Sequence, residues 1–294
     1  MTESEIDNSF VRRWQLAAAL KDFREKADLT QEQAVTELRR RGGRWSESKL
    51  SRVENHQHGI RPHEVEQLLD TYGVVDPAAR EPILALASRA RERGWRTTYG
   101  ADLPEPFRTL VSLEGGVTTI RDFQTMLVPG LLQTADYMRA VIEAVDPAAT
   151  SPIKLEHRVA RRMTRQHILR RPEPPTYHVI LDEGVLRRTV GRRSVMRDQL
   201  RKLADVAPEP HMSIQILPLD AGGGAGLEGP FTLLTLPTPA PDVLYGEGAV
   251  TGMVFVEDRE RTRMCMLRFG MLSQLALSRA DSLEMINEAA KSYE

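Results

Sequence analysis

Two helix starts with a double glycine between them constrain this 294-residue chain more than any other feature. The first is Leu29-Thr30-Gln31-Glu32-Gln33-Ala34. Thr30 suits an N-cap, and Gln33 stands three residues on, where a capping box needs it. A helix from Gln31 then turns Ala34, Val35 and Leu38 to one side. Gly42-Gly43 stops it. The second start, Trp45-Ser46-Glu47-Ser48-Lys49-Leu50, follows at once, with Ser46 as cap and Trp45 and Leu50 placed as a hydrophobic staple.

Helices on either side complete the pattern. Leu16, Leu20, Phe23 and Ala27 recur at spacings of three and four, which predicts a helix over 10–27. Gly59 and Arg61-Pro62 end the third helix. Pro62 suits the first turn of a fourth, in which Val65, Leu68, Leu69 and Tyr72 form an apolar stripe. In the third helix Leu50 and Val53 turn inward, while Glu47, Ser48, Lys49 and Arg52 turn outward. A short helix with polar and basic side chains in its first turns fits the major groove of DNA, and those turns reach base edges. The amides that open the second helix can meet a phosphate, with Gln31 as an added donor.

The run LTQEQAVTEL…WSESKLSRVENHQHGIRP resembles the Cro/cI-type, or xenobiotic-response-element, helix-turn-helix family over about 65 residues. The resemblance implies base reading by Glu47, Ser48, Lys49 and Arg52. It implies phosphate contacts by Gln31, Arg44, Asn55, His56 and His58, and a structural role for Glu54. The turn Arg39-Arg40-Arg41-Gly42-Gly43-Arg44 is longer than is usual in that family. A further turn of the second helix would accommodate it.

A net charge of −1 does not oppose this reading, because distribution matters more than the sum. Between Arg39 and Arg52 stand Arg39, Arg40, Arg41, Arg44, Lys49 and Arg52 against one acid, Glu47. The composition, 41% hydrophobic and 28% charged, is that of a water-soluble globular protein. The N-terminus is acidic and polar rather than a signal sequence, and no apolar run approaches the ~20 residues that span a bilayer. The expected location is cytoplasmic. The single cysteine, Cys265, can form neither an internal disulfide nor a cysteine-based zinc site, and its apolar surroundings predict a core position.

The expected fold is an all-α helix-turn-helix domain at 1–75, a helical linker at 76–114 and an α+β regulatory domain at 115–294. In the linker, Pro82 is expected to start a new helix or kink the old one. Beyond it, Thr134 opens a helix after the loop 126–133, and an arginine-rich helix covers 153–170. Strands are expected at 177–181, 213–217, 231–236 and 253–256, with helices at about 195–206, 258–278 and 281–292. Strands and helices mix without strict alternation.

The motifs that could carry chemistry resolve into structural readings. Gly224-x-Gly226-x-x-Gly229 has the spacing of a dinucleotide fingerprint, but Pro230 and a strand follow where that site needs a helix. Asp182 reads as an N-cap for the turn at 183–188. His56, His58 and His63 lack the pairing of a metal-binding helix. Arg158, Arg161, Arg162, Arg165, Arg170 and Arg171 read as a solvated or partner-binding helix face. No nucleophile elbow is present, so no enzyme activity, cofactor or metal is expected.

The segments VPGLLQTADYMRA, HRVARRMTRQ, VILDEGVLRR, ILPLDAGG…GPFTLL and FVEDRERTRMCMLRF occur in order. Together they resemble the regulatory domain of actinomycete WhiJ-like, antitoxin-like regulators. That resemblance implies a small, toxin-like partner protein and supplies no catalytic residues. The sequence therefore points to a transcriptional regulator, a homodimeric repressor of neighbouring genes that binds double-stranded DNA. The alternatives are an antitoxin-like protein that chiefly holds a toxin-like partner, and a regulator that senses a small-molecule effector under the 218–230 loop.

Overall fold

The computed structural model describes residues 9–90, 105–146, 151–222, 224–248 and 252–294. These form two compact units. One comprises the chain up to Gly116 together with Leu236–Pro241; the other comprises Val117–Thr235 and Asp242–Glu294.

The first unit is helical. Helix α1 spans Ser9–Lys26, α2 Gln31–Arg40, α3 Glu47–Glu54, α4 Pro62–Thr71, α5 Pro77–Arg89 and α6 Glu105–Glu114. Leu16 and Leu20 of α1 are buried and Phe23 and Ala27 are partly buried against the same core, as their spacing predicts. That core also takes in Leu38, Trp45, Leu50, Val65, Leu68 and Leu69. Helix α5, which lies within the expected linker, adds Ile83 and Ala87 to it. Pro82 is exposed inside α5, and the helix continues through it.

The second unit is built on a six-stranded mixed sheet. Its elements are β1 Thr119–Gln124, α7 Ala135–Val145, α8 Pro152–Arg165, β2 Thr176–Asp182, α9 Glu183–Arg187, α10 Arg193–Val206, β3 Met212–Leu217, β4 Phe231–Thr235, β5 Val243–Gly248, β6 Gly252–Val256, α11 Arg259–Leu275 and α12 Arg279–Ser292. The strand order is β3-β2-β1-β4-β5-β6. β1, β2 and β3 run parallel, with helices in the crossovers, whereas β4, β5 and β6 continue antiparallel. An α-helical domain followed by an α+β domain is the expected fold.

Strands β2, β3, β4 and β6 fall where the sequence predicts them; β1 and β5 are additions. Cys265 is buried, and Asp182 caps α9 by accepting from the Gly184 amide. The arginine-rich helix stops at Arg165 and a short 3-10 turn carries Gln166–Arg170. The loop before α7 is held by glutamines. Gln199, fully buried, accepts from the Thr134 amide at 2.7 Å and donates to the Leu132 carbonyl at 2.9 Å. Gln166 donates to the carbonyls of Gly130 and Gln133 at 2.9 and 2.8 Å. Buried backbone groups outside regular structure need such partners, so these side chains replace a missing ladder.

Candidate nucleic-acid interface

The turn between α2 and α3 follows from its two glycines. Arg41 caps α2, the Gly42 amide donates to the Arg39 carbonyl, and the Gly43 amide donates to the Leu38 carbonyl, both at 2.9 Å. This is a Schellman ending, which needs a left-handed residue just past the cap; Gly42 supplies it with φ of +83°. At Gly43 the constraint is space. A Cβ there would lie 2.9 Å from both the Leu38 oxygen and Cδ1 of Trp45. The longer turn is thus split between a helix that runs through Arg40 and a segment that passes tightly under Trp45. Arg39 Nε donates to the Trp45 carbonyl at 2.8 Å and ties that segment back to α2.

Trp45 is the peg on which α3 hangs. It is 4% exposed, and its Nε1 donates to Oε1 of Gln67 on α4 at 3.0 Å. Ser46 then caps α3, its hydroxyl accepting from the Lys49 amide. At the other end Glu54 is buried and meets Arg24 of α1 in a two-point ion pair, Nε to Oε1 at 2.7 Å and Nη2 to Oε2 at 3.0 Å. The hydrogen bond to Glu54 raises the Arg24 pKa above its ordinary value, against the opposing effect of burial. Arg24 also donates to the Leu29 carbonyl at 2.7 Å, just ahead of the Thr30 capping box. One ion pair therefore fixes α1, the start of α2 and the end of α3. The sequence marks Glu54 as structural only through family resemblance and gives no sign of Arg24, thirty residues away.

The expected contact residues separate into two groups. Glu47, Ser48 and Arg52 are exposed on the face of α3 opposite buried Leu50, Val53 and Glu54. Arg44, Asn55 and His58 are also exposed. Arg52 Nε returns to the Ser48 carbonyl at 3.1 Å. The other group is turned inward. Lys49 Nζ sits 2.6 Å from Oε1 of Glu64 and 4.2 Å over the Trp45 ring. Burial pushes the Glu64 carboxyl up, but hydrogen bonds from Lys49 and the Arg61 amide bring it below its usual range. Gln31 gives its amide hydrogen to Glu54 at 2.8 Å.

His56 stacks against Trp14, with ring centroids 4.0 Å apart. Burial, and then the positive charge of Arg13, lower its pKa from 6.5 to about 4, so it brings no positive charge to a phosphate at neutral pH. This has a consequence for stability. Between about pH 4 and 6.5 the unfolded chain binds the His56 proton and the folded chain does not. The contribution is complete above pH 6.5 and is lost as pH falls toward 4, by up to about 3 kcal/mol. A His56→Asn variant, whose side chain tolerates the positive φ of 50° at this site, should show a flatter stability profile over that window. Parallel profiles for the two proteins would place the pH sensitivity elsewhere.

The basic run is also less free than its residue count suggests. Arg40 and Arg41 both bond Glu37, at 2.8 Å. With Lys49 on Glu64, the cations of this run that have no acidic partner among the described residues are Arg39, Arg44 and Arg52, of which Arg39 bonds the Trp45 carbonyl. Gln57, exposed just past α3, lies in the same loop as Asn55 and His58.

A capped α2, a tight turn and an α3 with one buried and one polar face define a helix-turn-helix protein of the DNA-binding regulator class. A family model described as a helix-turn-helix domain matches residues 15–83. A second, described as a domain of unknown function (DUF5753), matches residues 107–288, more than half of the chain, and the chain belongs to that family. No curated protein and no solved structure matches it. No helix among the described residues is long and apolar enough to cross a membrane.

Proposed function

We propose that this protein is a cytoplasmic, sequence-specific transcriptional regulator that binds its operator as a homodimer and represses neighbouring genes. The observation that carries the reading is the outward display of Glu47, Ser48 and Arg52 on a helix whose other face is locked into the core. Repression needs only occupancy of the operator, whereas activation needs a further contact with the transcription machinery. Arg52 is assigned to a base and Arg44 to a phosphate. Arg52→Ala should cost about 1–3 kcal/mol on the cognate site and relax one base position, while Arg44→Ala should weaken all sequences alike and lower the salt slope by ~1. Binding of both variants to a panel of single-base operator mutants tests the assignment. Uniform weakening by Arg52→Ala would move Arg52 to the backbone.

A two-fold assembly has support in the second unit. Helix α11 buries Thr262, Cys265, Phe269 and Leu272, yet Met264, Leu267, Met271 and Leu275 stand exposed along its other side. Their spacings of three, four and four make a coiled-coil-like stripe. Paired antiparallel with a second copy, Met264 meets Leu275 and Leu267 meets Met271, and the same contacts recur by symmetry. One eight-residue recognition helix reads few base pairs, so a two-fold protein on two half-sites also answers the need for specificity. Leu267→Asp should convert a dimer to a monomer in light scattering and weaken operator binding without altering the circular dichroism spectrum. A monomeric wild-type protein would remove the dimer from this account.

A further inference from the structure

The sheet register assembles a row of side chains that the DNA-binding reading does not use. Asp122, Thr232, Tyr245 and Phe255 are successive partners across β1, β4, β5 and β6, so they share one face of the sheet. The rings of Tyr245 and Phe255 lie 5.4 Å apart at 31°. Beside this row, α8 carries Arg158, Arg162 and Arg165 at spacings of four and three, hence on one helix face. The Arg162 guanidinium lies within electrostatic reach of Glu247, Arg165, Arg158 and Tyr245. Arg165 lies in reach of Asp122, and its guanidinium rests on Gly130, where a Cβ would stand 3.5 Å from Nη2. Gly130 itself is pinned by Gln166.

The cations in this cluster are unevenly satisfied. Arg158 pairs with Asp146 at 3.0 Å. Asp122 is saturated, accepting from Tyr177 Oη, Thr232 Oγ1 and Gln124 Nε2 at 2.8, 2.9 and 2.8 Å. Glu247 accepts from the Tyr245 hydroxyl at 3.0 Å. Arg162 is only partly exposed and, among the described residues, makes no hydrogen bond or ion pair. Burial lowers its pKa, as expected of a cation held away from water beside two others. A guanidinium so placed has its donor fork open to an oxyanion, and phosphate matches that fork in shape and charge.

We propose that this face is a binding site for a small organic phosphate with a planar ring. Arg162 and Arg165 take the phosphate, and the Tyr245–Phe255 pair takes the ring. The site lies within the second unit and does not depend on the DNA-binding assignment, so it is tested on the full chain without DNA. Calorimetric titration with adenosine 5′-monophosphate and with inorganic phosphate, at constant ionic strength in chloride, provides the readout. The expected result is saturable binding of the nucleotide, weaker binding of phosphate, and at least a tenfold loss for both in Arg162→Gln. Tyr245→Ala should abolish the preference for the nucleotide while leaving phosphate binding in place. Should Arg162→Gln misfold by circular dichroism, Arg162→Lys serves instead, with retained charge but weakened binding because the two-point fork is gone. Absence of saturable binding by either probe, or affinity unchanged in the Arg162 variant, would overturn the site. Equal binding of the two probes would overturn the ring subsite.

Discussion

Glu54→Ala should destabilise the helical unit by about 3–5 kcal/mol, the usual cost of removing one partner from a buried ion pair. The side chain of Glu54 is 2% exposed and that of Arg24 10%. Without the carboxylate, Arg24 keeps the Leu29 carbonyl at 2.7 Å and a looser approach to Glu25 at 3.7 Å, and Gln31 loses its acceptor. The loss falls on three helices at once. Global stability is typically 5–15 kcal/mol, so the variant should melt many degrees lower and bind operator poorly at 37 °C. Urea denaturation followed by tryptophan fluorescence measures it, since Trp14 and Trp45 are both in this unit's buried core. The double variant Arg24→Met/Glu54→Leu should recover much of the loss, because replacing both charges with apolar groups leaves nothing unpaired. A midpoint unchanged by Glu54→Ala would mean that water already solvates the pair.

Trp45→Ala carries a comparable expected effect by a different route. Deleting a buried indole removes its transfer free energy and leaves a cavity, together about 3–5 kcal/mol. Here the ring also bonds Gln67 and carries the Lys49 ammonium on its face, so α3 loses its tie to α4 at the end proposed to read bases. Operator affinity should therefore fall by more than the drop in folded fraction explains. Trp45→Phe should keep most of the packing and lose one hydrogen bond, about 1 kcal/mol. If alanine and phenylalanine variants prove equally stable, the indole is not filling the core as described.

The helix boundaries were legible because capping is local. Thr30 with Gln33, Ser46 with the Lys49 amide, Pro62 at a first turn and Thr134 before α7 are each settled within four residues of chain. Strand β1 was not legible for the opposite reason. TIRDFQ shows charged and polar residues at Arg121, Asp122 and Gln124, and Asp122 is buried only because Tyr177 and Thr232 reach it from 55 and 110 residues away. Strand β5, VLYGEG, carries two glycines and an acid, so its pattern reads as a loop. At the interface, helical phase puts Lys49 outward, but the long side chain turns back to Glu64, fifteen residues on. Similarly, His56 reads as a surface residue, whereas packing against Trp14 partly buries it and, with the Arg13 charge, lowers its pKa. What the sequence conceals is which polar side chain is already satisfied.

The central claim is that α3 reads a base sequence. It is tested most directly by titrating the full-length protein with DNA from upstream of its own gene and with a scrambled duplex, at several salt concentrations. The account predicts a preference of at least ~10³ for the upstream DNA that persists at physiological salt, on top of a salt-dependent phosphate component common to both. Equal affinity for the two duplexes, vanishing together as salt rises, would contradict it.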